Sequence, residues 1–252
     1  MDHLHRDVHG RALNVTIFPT PEDASTAVAE RILSVVRAKP TAVLGLATGQ
    51  TPRQVYAKLL NAVESGHISF AQATTFNLDE YCGLAGSHAD SFAAYMYREL
   101  FDKANFDQQR INLIDGAAED ETAEAARYAR LLGETMIDLQ LLGIGSNGHI
   151  GFNEPGSVRT SRVRVVQLSE ETRAANLPTL IELKTVPTRA ITMGIADILD
   201  ASEIVILATG QAKAEAVRKS IQETPGDSCP ASHLASHANV HWFLDYAAAR
   251  LL

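Results

Sequence analysis

The sequence predicts an α/β protein with a single doubly wound, Rossmann-like, mostly parallel sheet and helices on both faces. Short apolar runs rich in β-branched residues alternate with amphipathic helical stretches along the whole chain. Several of these runs are apolar on both faces, as parallel strands buried between two layers of helices are. No linker, repeat or low-complexity segment interrupts the 252 residues, so we expect one domain over residues 1–252.

The overall composition narrows the class of protein. Lys and Arg total 22 against 30 Asp and Glu, and the net charge of −8 argues against a nucleic-acid partner. The polar N-terminus carries no apolar signal core, and no run of about 18 apolar residues offers a membrane span. The two cysteines, Cys82 and Cys229, have neither metal-type spacing nor the density of a disulfide framework. We therefore expect a cytoplasmic protein.

The first elements of the chain set the pattern. Residues 1–12 are polar and are predicted to form a loose arm with its histidines solvated. A strand over 13–18 precedes a helix over 21–38, whose apolar residues share one face and which Lys39-Pro40 ends. A second strand over 42–47 leads through a Thr/Gly loop into a helix over 53–64, with Pro52 suited to its first turn.

The remaining elements follow the same alternation. The run over 162–168 alternates apolar and polar residues, which indicates a strand with one solvated face. Strands are also predicted over 73–78, 111–114, 137–144, 189–194, 203–208 and 240–244. Helices are predicted over 92–103, 119–134 and 196–199, after Ser169, after Thr209, and from Asp245 to the end.

Two loops between a strand and a helix are candidate anion sites. The first loop consists of Thr48, Gly49, Gln50 and Thr51. Its backbone N–H groups and the two threonine hydroxyls would point at one spot, with the positive end of a helix dipole behind them. This loop is not a Walker A motif, and the same residue types also occur as simple helix caps. Lys213 follows a similar Thr-Gly loop, where an anionic ligand would explain a cation near a helix N-terminus.

A glycine-rich loop after the strand 137–144 carries Asn147, His149 and Glu154. Its residues 143–148 match the dinucleotide-binding fingerprint literally, but that fingerprint must open a helix. Gly148, Gly151 and the Pro155-Gly156 pair make such a helix improbable, so we exclude a dinucleotide site. A serine hydrolase is excluded because Ser146 lacks the nucleophile-elbow frame.

Asp79 follows the strand 73–78 directly, and a carboxylate at a strand end can serve as a general base. Glu80 beside it points elsewhere, so one carboxylate can face a site while the other has a structural partner. Because parallel strands end at one edge of a sheet, these groups, His149 and the anion loops can converge there. With no nucleophile and no metal site beside it, the set favours acid–base chemistry on a sugar phosphate.

A zinc site near the C-terminus is a competing hypothesis. Three histidines, His233, His237 and His241, recur there every four residues. The Ala238-Asn239 break and the strand that follows prevent them from sharing one helical face, so no metal is expected.

Three segments in combination resemble the glucosamine-6-phosphate deaminase family, which shares its fold with the 6-phosphogluconolactonases. They are Leu44-Gly-Leu-Ala-Thr-Gly-Gln-Thr-Pro52, Asn77-Leu-Asp-Glu-Tyr81 and Gly143-Ile-Gly-Ser-Asn-Gly-His-Ile-Gly-Phe-Asn-Glu-Pro155. The likeness runs from about Asn14 to Asp245, and Gly-His-Ile-Gly-Phe-Asn-Glu-Pro is the deaminase form. The resemblance implies conversion of glucosamine 6-phosphate and water to fructose 6-phosphate and ammonia.

The resemblance also implies roles for individual residues. His149 would assist opening of the sugar ring, with Asn147 and Glu154 orienting it, and Asp79 would move a proton from C2 to C1. The residues expected to bind the substrate and its phosphate are Thr48, Gly49, Gln50, Thr51, Gly145 and Lys213. No cofactor is implied; the expected partner is a small-molecule amino-sugar phosphate, and the expected assembly is a monomer or small homo-oligomer.

The chain departs from the family pattern at one segment. Relatives carry an Arg that grips the phosphate, but the matching segment here reads Asn176-Leu-Pro-Thr-Leu180. Either Arg173 or another cation substitutes, or the substrate differs, with galactosamine 6-phosphate (giving tagatose 6-phosphate) as the second candidate. Many relatives have Asp at the position of Asn147, but Asn, which cannot ionise, also occurs in the family. A lactonase and a catalytically silent sugar-phosphate sensor remain as competing hypotheses, and we expect a small enzyme without allosteric regulation.

Overall fold

The structure is a computed structural model that describes residues 2–6 and 12–252, with side chains described from Asn14 onward. Its strands are β1 Asp2–Arg6, β2 Ala12–Phe18, β3 Val43–Leu46, β4 Thr74–Asn77, β5 Asp79–Tyr81, β6 Ile111–Asn112, β7 Leu139–Leu142, β8 Arg164–Gln167, β9 Arg189–Thr192, β10 Ile204–Ala208 and β11 Val240–Asp245. Its α-helices are α1 Pro21–Ala38, α2 Pro52–Glu64, α3 Phe92–Met96, α4 Glu121–Gly133, α5 Glu170–Asn176, α6 Ile195–Leu199 and α7 Ala214–Gln222. A π-helical turn, Tyr97–Phe101, continues α3.

The main sheet has the strand order β1-β2-β11-β10-β7-β3-β4-β6. Every neighbouring pair is parallel except β1–β2, so the predicted α/β class with a mostly parallel sheet is confirmed. All residues of β3, β7 and β10 are buried. This burial on both faces is the physical reason why their sequences read as continuous apolar runs.

The strand order reverses between β3 and β7. From β3 the chain proceeds to β4 and β6 on one side, and from β7 it proceeds through β10 to β11 on the other. Such a switch point opens a crevice outside the carboxyl ends of the strands, because the connecting helices diverge there. The loops after β3, β7 and β10, which carry the candidate residues, therefore meet at this crevice.

A second, three-stranded antiparallel sheet has the order β5-β9-β8, and the prediction of one sheet is wrong for these strands. The last parallel bond on this side joins Leu78 N–H to Leu46 O, and Asp79 then begins pairing with β9. The change of partner within two residues leaves no signature in local periodicity. The alternating pattern over 162–168, typical of antiparallel strands, was the available signal.

Both ends of the chain differ from the predictions. Residues 2–6, expected within a loose arm, form β1 and pair with β2, because the outer edge of β2 has backbone groups that need partners. Residues 1 and 7–11 of that arm, including His9, lie outside the described residues. The helix predicted from Asp245 is replaced by turns. There the Asp245 carboxylate accepts from Ala248 N–H and Ala249 N–H donates to Asp245 O at 3.0 Å, which are the hydrogen bonds of a single capped turn.

Two groups of buried apolar side chains stabilise the fold. The larger runs from Val15 to Ala249 and fills the space between the main sheet and its helices. The smaller comprises Tyr81, Leu84, Phe152, Leu168, Val186 and Ala190 and joins the small sheet to the loop after β7. Its Tyr81 and Phe152 rings lie 5.5 Å apart. Within the described residues, none of the helices combines the length and apolar character that crossing a bilayer requires.

Candidate active site

A chain of hydrogen bonds connects His149, Asn147 and Glu154 in the loop after β7. His149 Nδ1 lies 2.8 Å from Asn147 Oδ1, and Asn147 Nδ2 donates to Glu154 Oε2 at 3.1 Å. A carboxylate only accepts, so the Asn147 amide group must face Glu154 with its nitrogen and His149 with its oxygen. The Nδ1 atom of a neutral His149 therefore carries the proton, which leaves Nε2 as the basic nitrogen.

The surroundings of His149 favour its neutral form. Burial lowers the pKa of its imidazole, the Glu154 charge opposes this effect, and the Lys213 charge adds to the lowering. A Cβ on Gly145 would lie 2.2 Å from His149 Nδ1, so the ring needs the space that a glycine leaves.

Gly145 itself was predicted to bind substrate. In the structure, its N–H donates to His149 O at 2.9 Å, so this group is used within the loop rather than offered to a ligand. Gly145 contributes room for the imidazole, and its contact with the substrate stays a prediction.

Asp79 is the first residue of β5 and is buried, at 7% exposed. Burial, followed by the neighbouring charge of Glu80, raises the pKa of its carboxyl to about 8. A Cβ on Gly151 would lie 3.4 Å from Asp79 Oδ2, which places the loop after β7 directly against the carboxyl. The same loop thus contacts Asp79 and carries His149 and Glu154.

Glu80 takes the structural role predicted for one of the two adjacent carboxylates. Its oxygens accept from Phe92 N–H at 2.9 Å and Ala93 N–H at 2.8 Å, and so satisfy the first turn of α3. A third bond comes from its neighbour Tyr81 N–H at 2.9 Å. Burial raises the pKa of Glu80 to about 7, while these three bonds act to lower it.

The loop between β3 and α2 has the form expected of an anion site. Gly49 has φ of 107°, a conformation that favours glycine, and both it and Gln50 are exposed. Half-buried Thr51 precedes Pro52 at the start of α2 and makes no side-chain capping bond, and the first turn has no acidic residue. The simple capping role that could also explain Thr51 is therefore not found.

Lys213 ends a 3₁₀ turn that leads into α7, and Gly210 before it has φ of 87°. The lysine is half-buried, and burial lowers the pKa of its ammonium. In the part of the chain that the structure describes, no carboxylate forms an ion pair with it. An unpaired and partly desolvated cation beside His149 provides an electrostatic site for an anion.

Sequence reasoning missed four side chains that hold the loop after β7. Ser169, the N-cap of α5, donates to Glu154 Oε1 at 3.1 Å. Asn153, Arg164 and Thr192 form hydrogen bonds in and around the turn before Glu154. Asn153 lies within the glycine-rich motif, but the other three stand outside it, and only the antiparallel pairing of β8 and β9 brings Arg164 and Thr192 to the loop.

Arg173 and the three C-terminal histidines each have hydrogen-bond partners within the protein. Arg173, suggested as a substitute cation, donates from Nε to Val186 O at 3.2 Å. The three C-terminal histidines turn to different partners: His233 to Asp227, His237 to Ala201 O and His241 to Asn239. Among the described residues, no group of three His, Cys, Asp or Glu is arranged to hold a metal ion.

A buried carboxyl, an oriented imidazole and an anion loop at the switch point of a doubly wound sheet define a class of α/β enzymes that use acid–base chemistry on phosphorylated substrates. Within that class, the chain belongs to the family described as glucosamine-6-phosphate isomerases/6-phosphogluconolactonase, whose model matches residues 19–242.

Individual relatives are similar over almost their whole length. A glucosamine-6-phosphate deaminase of Rhodopirellula baltica is 51% identical over 95% of this chain and 96% of its own. One of Bacillus pumilus is 44% identical over 95% of this chain and 100% of its own. The solved structure of a monomeric glucosamine-6-phosphate deaminase superposes with a TM-score of 0.92 at 41% identity, covering 95% of this chain and 100% of that one.

Proposed function

We propose that the protein is a glucosamine-6-phosphate deaminase, which converts glucosamine 6-phosphate and water to fructose 6-phosphate and ammonia. The observation that carries this proposal is that one loop bears the His149–Asn147–Glu154 relay and also lies against the buried Asp79 carboxyl. A base and a proton-transfer imidazole brought together by one loop suit a substrate whose ring must open before its C2 proton is removed.

The phosphate is assigned to the loops after β3 and β10. Thr48, Gly49, Gln50 and Thr51 would surround it with N–H groups and hydroxyls, and the half-buried Lys213 would supply a positive charge. At the position of the missing family Arg stands Pro178, within the 3₁₀ turn Leu177–Thr179. Lys213 is therefore the cation that we assign to the phosphate.

Ring opening is assigned to His149. Its neutral imidazole presents Nε2 as a base, because Asn147 holds the proton on Nδ1. Nε2 would take the proton from O1 of the pyranose and deliver it to O5, which breaks the C1–O5 bond and forms the C1 aldehyde. The lowered pKa of His149 keeps the base form populated at neutral pH.

The isomerisation is assigned to Asp79. Its carboxylate would remove the C2 proton while O1 takes a proton from the C2 ammonium group, which forms an enolamine. Return of the first proton from Asp79 to C1 then leaves a protonated C2 imine. Water adds to C2, and ammonia leaves as the C2 carbonyl of fructose 6-phosphate forms. A carboxyl whose burial raises its pKa to about 8 is both a stronger base and a group able to hold the proton between these steps.

The direct test is ammonia release from glucosamine 6-phosphate and from galactosamine 6-phosphate, measured in parallel. We expect release from the first; release only from the second would reassign the protein to galactosamine 6-phosphate. Tight sugar-phosphate binding without ammonia from either substrate would indicate a sensor, and lactone hydrolysis without deamination would indicate a lactonase. The variant Asp79→Asn should still bind sugar phosphate but lose exchange of the C2 proton with solvent.

We further propose a single-domain, monomeric and cytoplasmic protein. The continuity of the larger core from Val15 to Ala249 supports one domain, and the similar solved structure is that of a monomeric deaminase. Both cysteines are free and buried, as in proteins of a reducing compartment. Light scattering of the purified protein would reject the monomer if it gave a mass well above 27.2 kDa.

A further inference from the structure

Three side chains form a row across the small antiparallel sheet. Asp79 on β5 stands opposite Thr192 on β9, and Thr192 in turn stands opposite Arg164 on β8. Residues directly opposite one another in antiparallel strands present their side chains on the same face. The proposed base and Arg164 therefore occupy the two ends of one row, with Thr192 between them.

The turn Ile150–Glu154 lies on this row. Phe152 N–H donates to Thr192 Oγ1 at 3.1 Å, and Arg164 Nη1 donates to Asn153 Oδ1 at 2.9 Å. A Cβ on Gly151, which has φ of 54°, would lie 3.1 Å from Thr192 Oγ1 as well as close to Asp79. Asn153 and Thr192 are both 0% exposed, so the turn is held by bonds that water does not reach.

Asn153 is the residue through which Arg164 acts on the turn. Its Nδ2 donates to Ile150 O at 2.9 Å and to Met193 O at 2.8 Å, which closes the turn and ties it to the end of β9. Its Oδ1 remains for the guanidinium. Because Glu154 follows Asn153 directly, the position of the Asn153 side-chain amide fixes the backbone from which the Glu154 carboxylate extends.

Arg164 is placed differently from other arginines nearby. It is half-buried, burial lowers its pKa, and its remaining bonds go to Ser157 Oγ at 3.2 Å and Arg162 O at 3.3 Å. Among the described residues, no carboxylate forms an ion pair with it. Arg162, two residues earlier, is exposed and paired with Asp197 and Asp200. A guanidinium partly removed from water and bonded to neutral acceptors favours a positioning role over surface ion pairing.

We propose that Arg164 is a positioning residue for catalysis. Through its bond to Asn153 it fixes the turn Ile150–Glu154, and this turn holds the Glu154 carboxylate in place. The same turn contacts Asp79 at Gly151, so Arg164 also fixes the position of the turn relative to the base. This inference rests on the proposed function, because it deepens the assignment of the same site. The phosphate-binding loops belong to the other sheet, so Arg164 should affect the chemical step and not the grip on the substrate.

The test compares Arg164→Met with the matched control Arg162→Met. We expect kcat of Arg164→Met on glucosamine 6-phosphate to fall about 10²-fold, since a small misplacement of reacting groups has that effect. Its KM should stay near the wild-type value, and added guanidinium should restore part of kcat. Arg162→Met should keep the wild-type kcat. An Arg164→Met variant with wild-type kcat, or one that changes only KM, would overturn the proposal.

A second measurement needs no enzymatic activity. Hydrogen exchange at Phe152 and Asn153 N–H should accelerate in Arg164→Met and stay unchanged in Arg162→Met. Accelerated exchange in a protein whose wild type releases no ammonia would refute the proposed function but keep the contact, while unchanged exchange would refute the contact itself. Should Arg164→Met not fold, Arg164→Lys serves instead, since an ammonium cannot reproduce the guanidinium contacts. Wild-type kcat in Arg164→Lys would then refute the proposal.

Discussion

Asn147 and His149 are joined twice: Asn147 Oδ1 lies 2.8 Å from His149 Nδ1 and accepts from the His149 backbone N–H at 3.2 Å. One amide oxygen thus orients both the ring and the backbone of the histidine. Because an amide cannot ionise, it selects the tautomer without adding a charge that would hold a proton on the ring. The nearest carboxylate, that of Glu154, is therefore bonded to Asn147 and not to the imidazole itself.

Replacing this amide by a carboxylate should change the charge state of His149. In Asn147→Asp, a negative charge beside Nδ1 stabilises the imidazolium, so the pKa of His149 should rise by about one unit or more. NMR titration of the imidazole measures this directly. Ser146→Asp places the same charge on the exposed neighbouring residue and should raise the pKa much less. Equal shifts in the two variants would contradict the assigned orientation of Asn147.

The pH dependence of activity should report the Asp79 carboxyl. Its pKa of about 8 means that the base form is lost as the pH falls below that value. We expect kcat/KM to decrease on the acid side by about tenfold per pH unit, and to level off above the pKa. The inhibition constant of inorganic phosphate, measured over the same pH range, corrects for titration of the phosphate group of the substrate. A flat profile between pH 6 and 9 would exclude Asp79 as the titrating base.

Ionisation of the Asp79 carboxyl should lower the free energy of unfolding at alkaline pH. The pKa of Asp79 is higher in the folded state than the ordinary value near 3.8, so the folded state binds more protons between these two values and stability falls as the pH rises through that range. Asp79→Asn should therefore raise the free energy of unfolding at pH 9 by about 2–4 kcal/mol and change it little at pH 4. Denaturant melts at both values test this, with the exposed Asp102→Asn as the control. Equal effects at the two pH values would be inconsistent with a buried, shifted carboxyl.

Loss of the Lys213 charge should weaken binding. In Lys213→Met, a charge-assisted bond to the phosphate disappears, and KM should rise about 10- to 100-fold with a smaller change in kcat. The pKa of His149 should rise at the same time, because the Lys213 charge lowers it in the wild type. Lys219→Met removes a charge from α7, the helix that follows Lys213. Lys219 pairs with Glu215 at 3.8 Å, and this variant should behave as wild type. An unchanged KM in Lys213→Met would remove the lysine from the phosphate site.

The glycine against the imidazole should be intolerant of a side chain. In Gly145→Ala the new Cβ would stand 2.2 Å from His149 Nδ1 and 2.3 Å from Cε1, so the ring must leave its bond to Asn147. Displacement of a reacting group on this scale should lower kcat about 10²-fold. Gly143→Ala, where a Cβ meets nothing within 4 Å, is the matched control and should keep its activity. Comparable losses in both variants would show that the loop, rather than the imidazole, is sensitive.

Local sequence patterns were sufficient for most of the fold. The apolar runs that became β3, β7 and β10 were recognised because strands buried on both faces must be apolar throughout. The loops after β3 and β10 were located because glycine and threonine at a strand-to-helix junction reflect backbone requirements within a few residues, and the loop after β7 was located by its glycines. Glu80 was expected to have a structural partner, although only the structure shows that the partner is the first turn of α3.

The small sheet could not be predicted in this way. Its strands come from segments that lie far apart in the chain. The central strand, Arg189–Thr192, pairs with Asp79–Tyr81 on one side and with Arg164–Gln167 on the other. The free energy that selects such pairings comes from contacts of the assembled core, among them those of Tyr81 with Phe92 and Phe152. For the same reason Arg164 and Thr192 carried no sequence signal of their proximity to Asp79.

The amino-acid sequence by itself determined the α/β class, the succession of strands and helices in the larger sheet region and the identity of Asp79, His149, Glu154 and Lys213 as the residues with suitable chemistry. These follow from periodicity and from the reactivity of side chains, which are local properties. Tertiary structure decided which of them meet, the raised pKa of Asp79, the tautomer of His149 and the row that supports the turn Ile150–Glu154. Burial, register and hydrogen-bond direction depend on residues distant in sequence, and they exist only once the chain has packed.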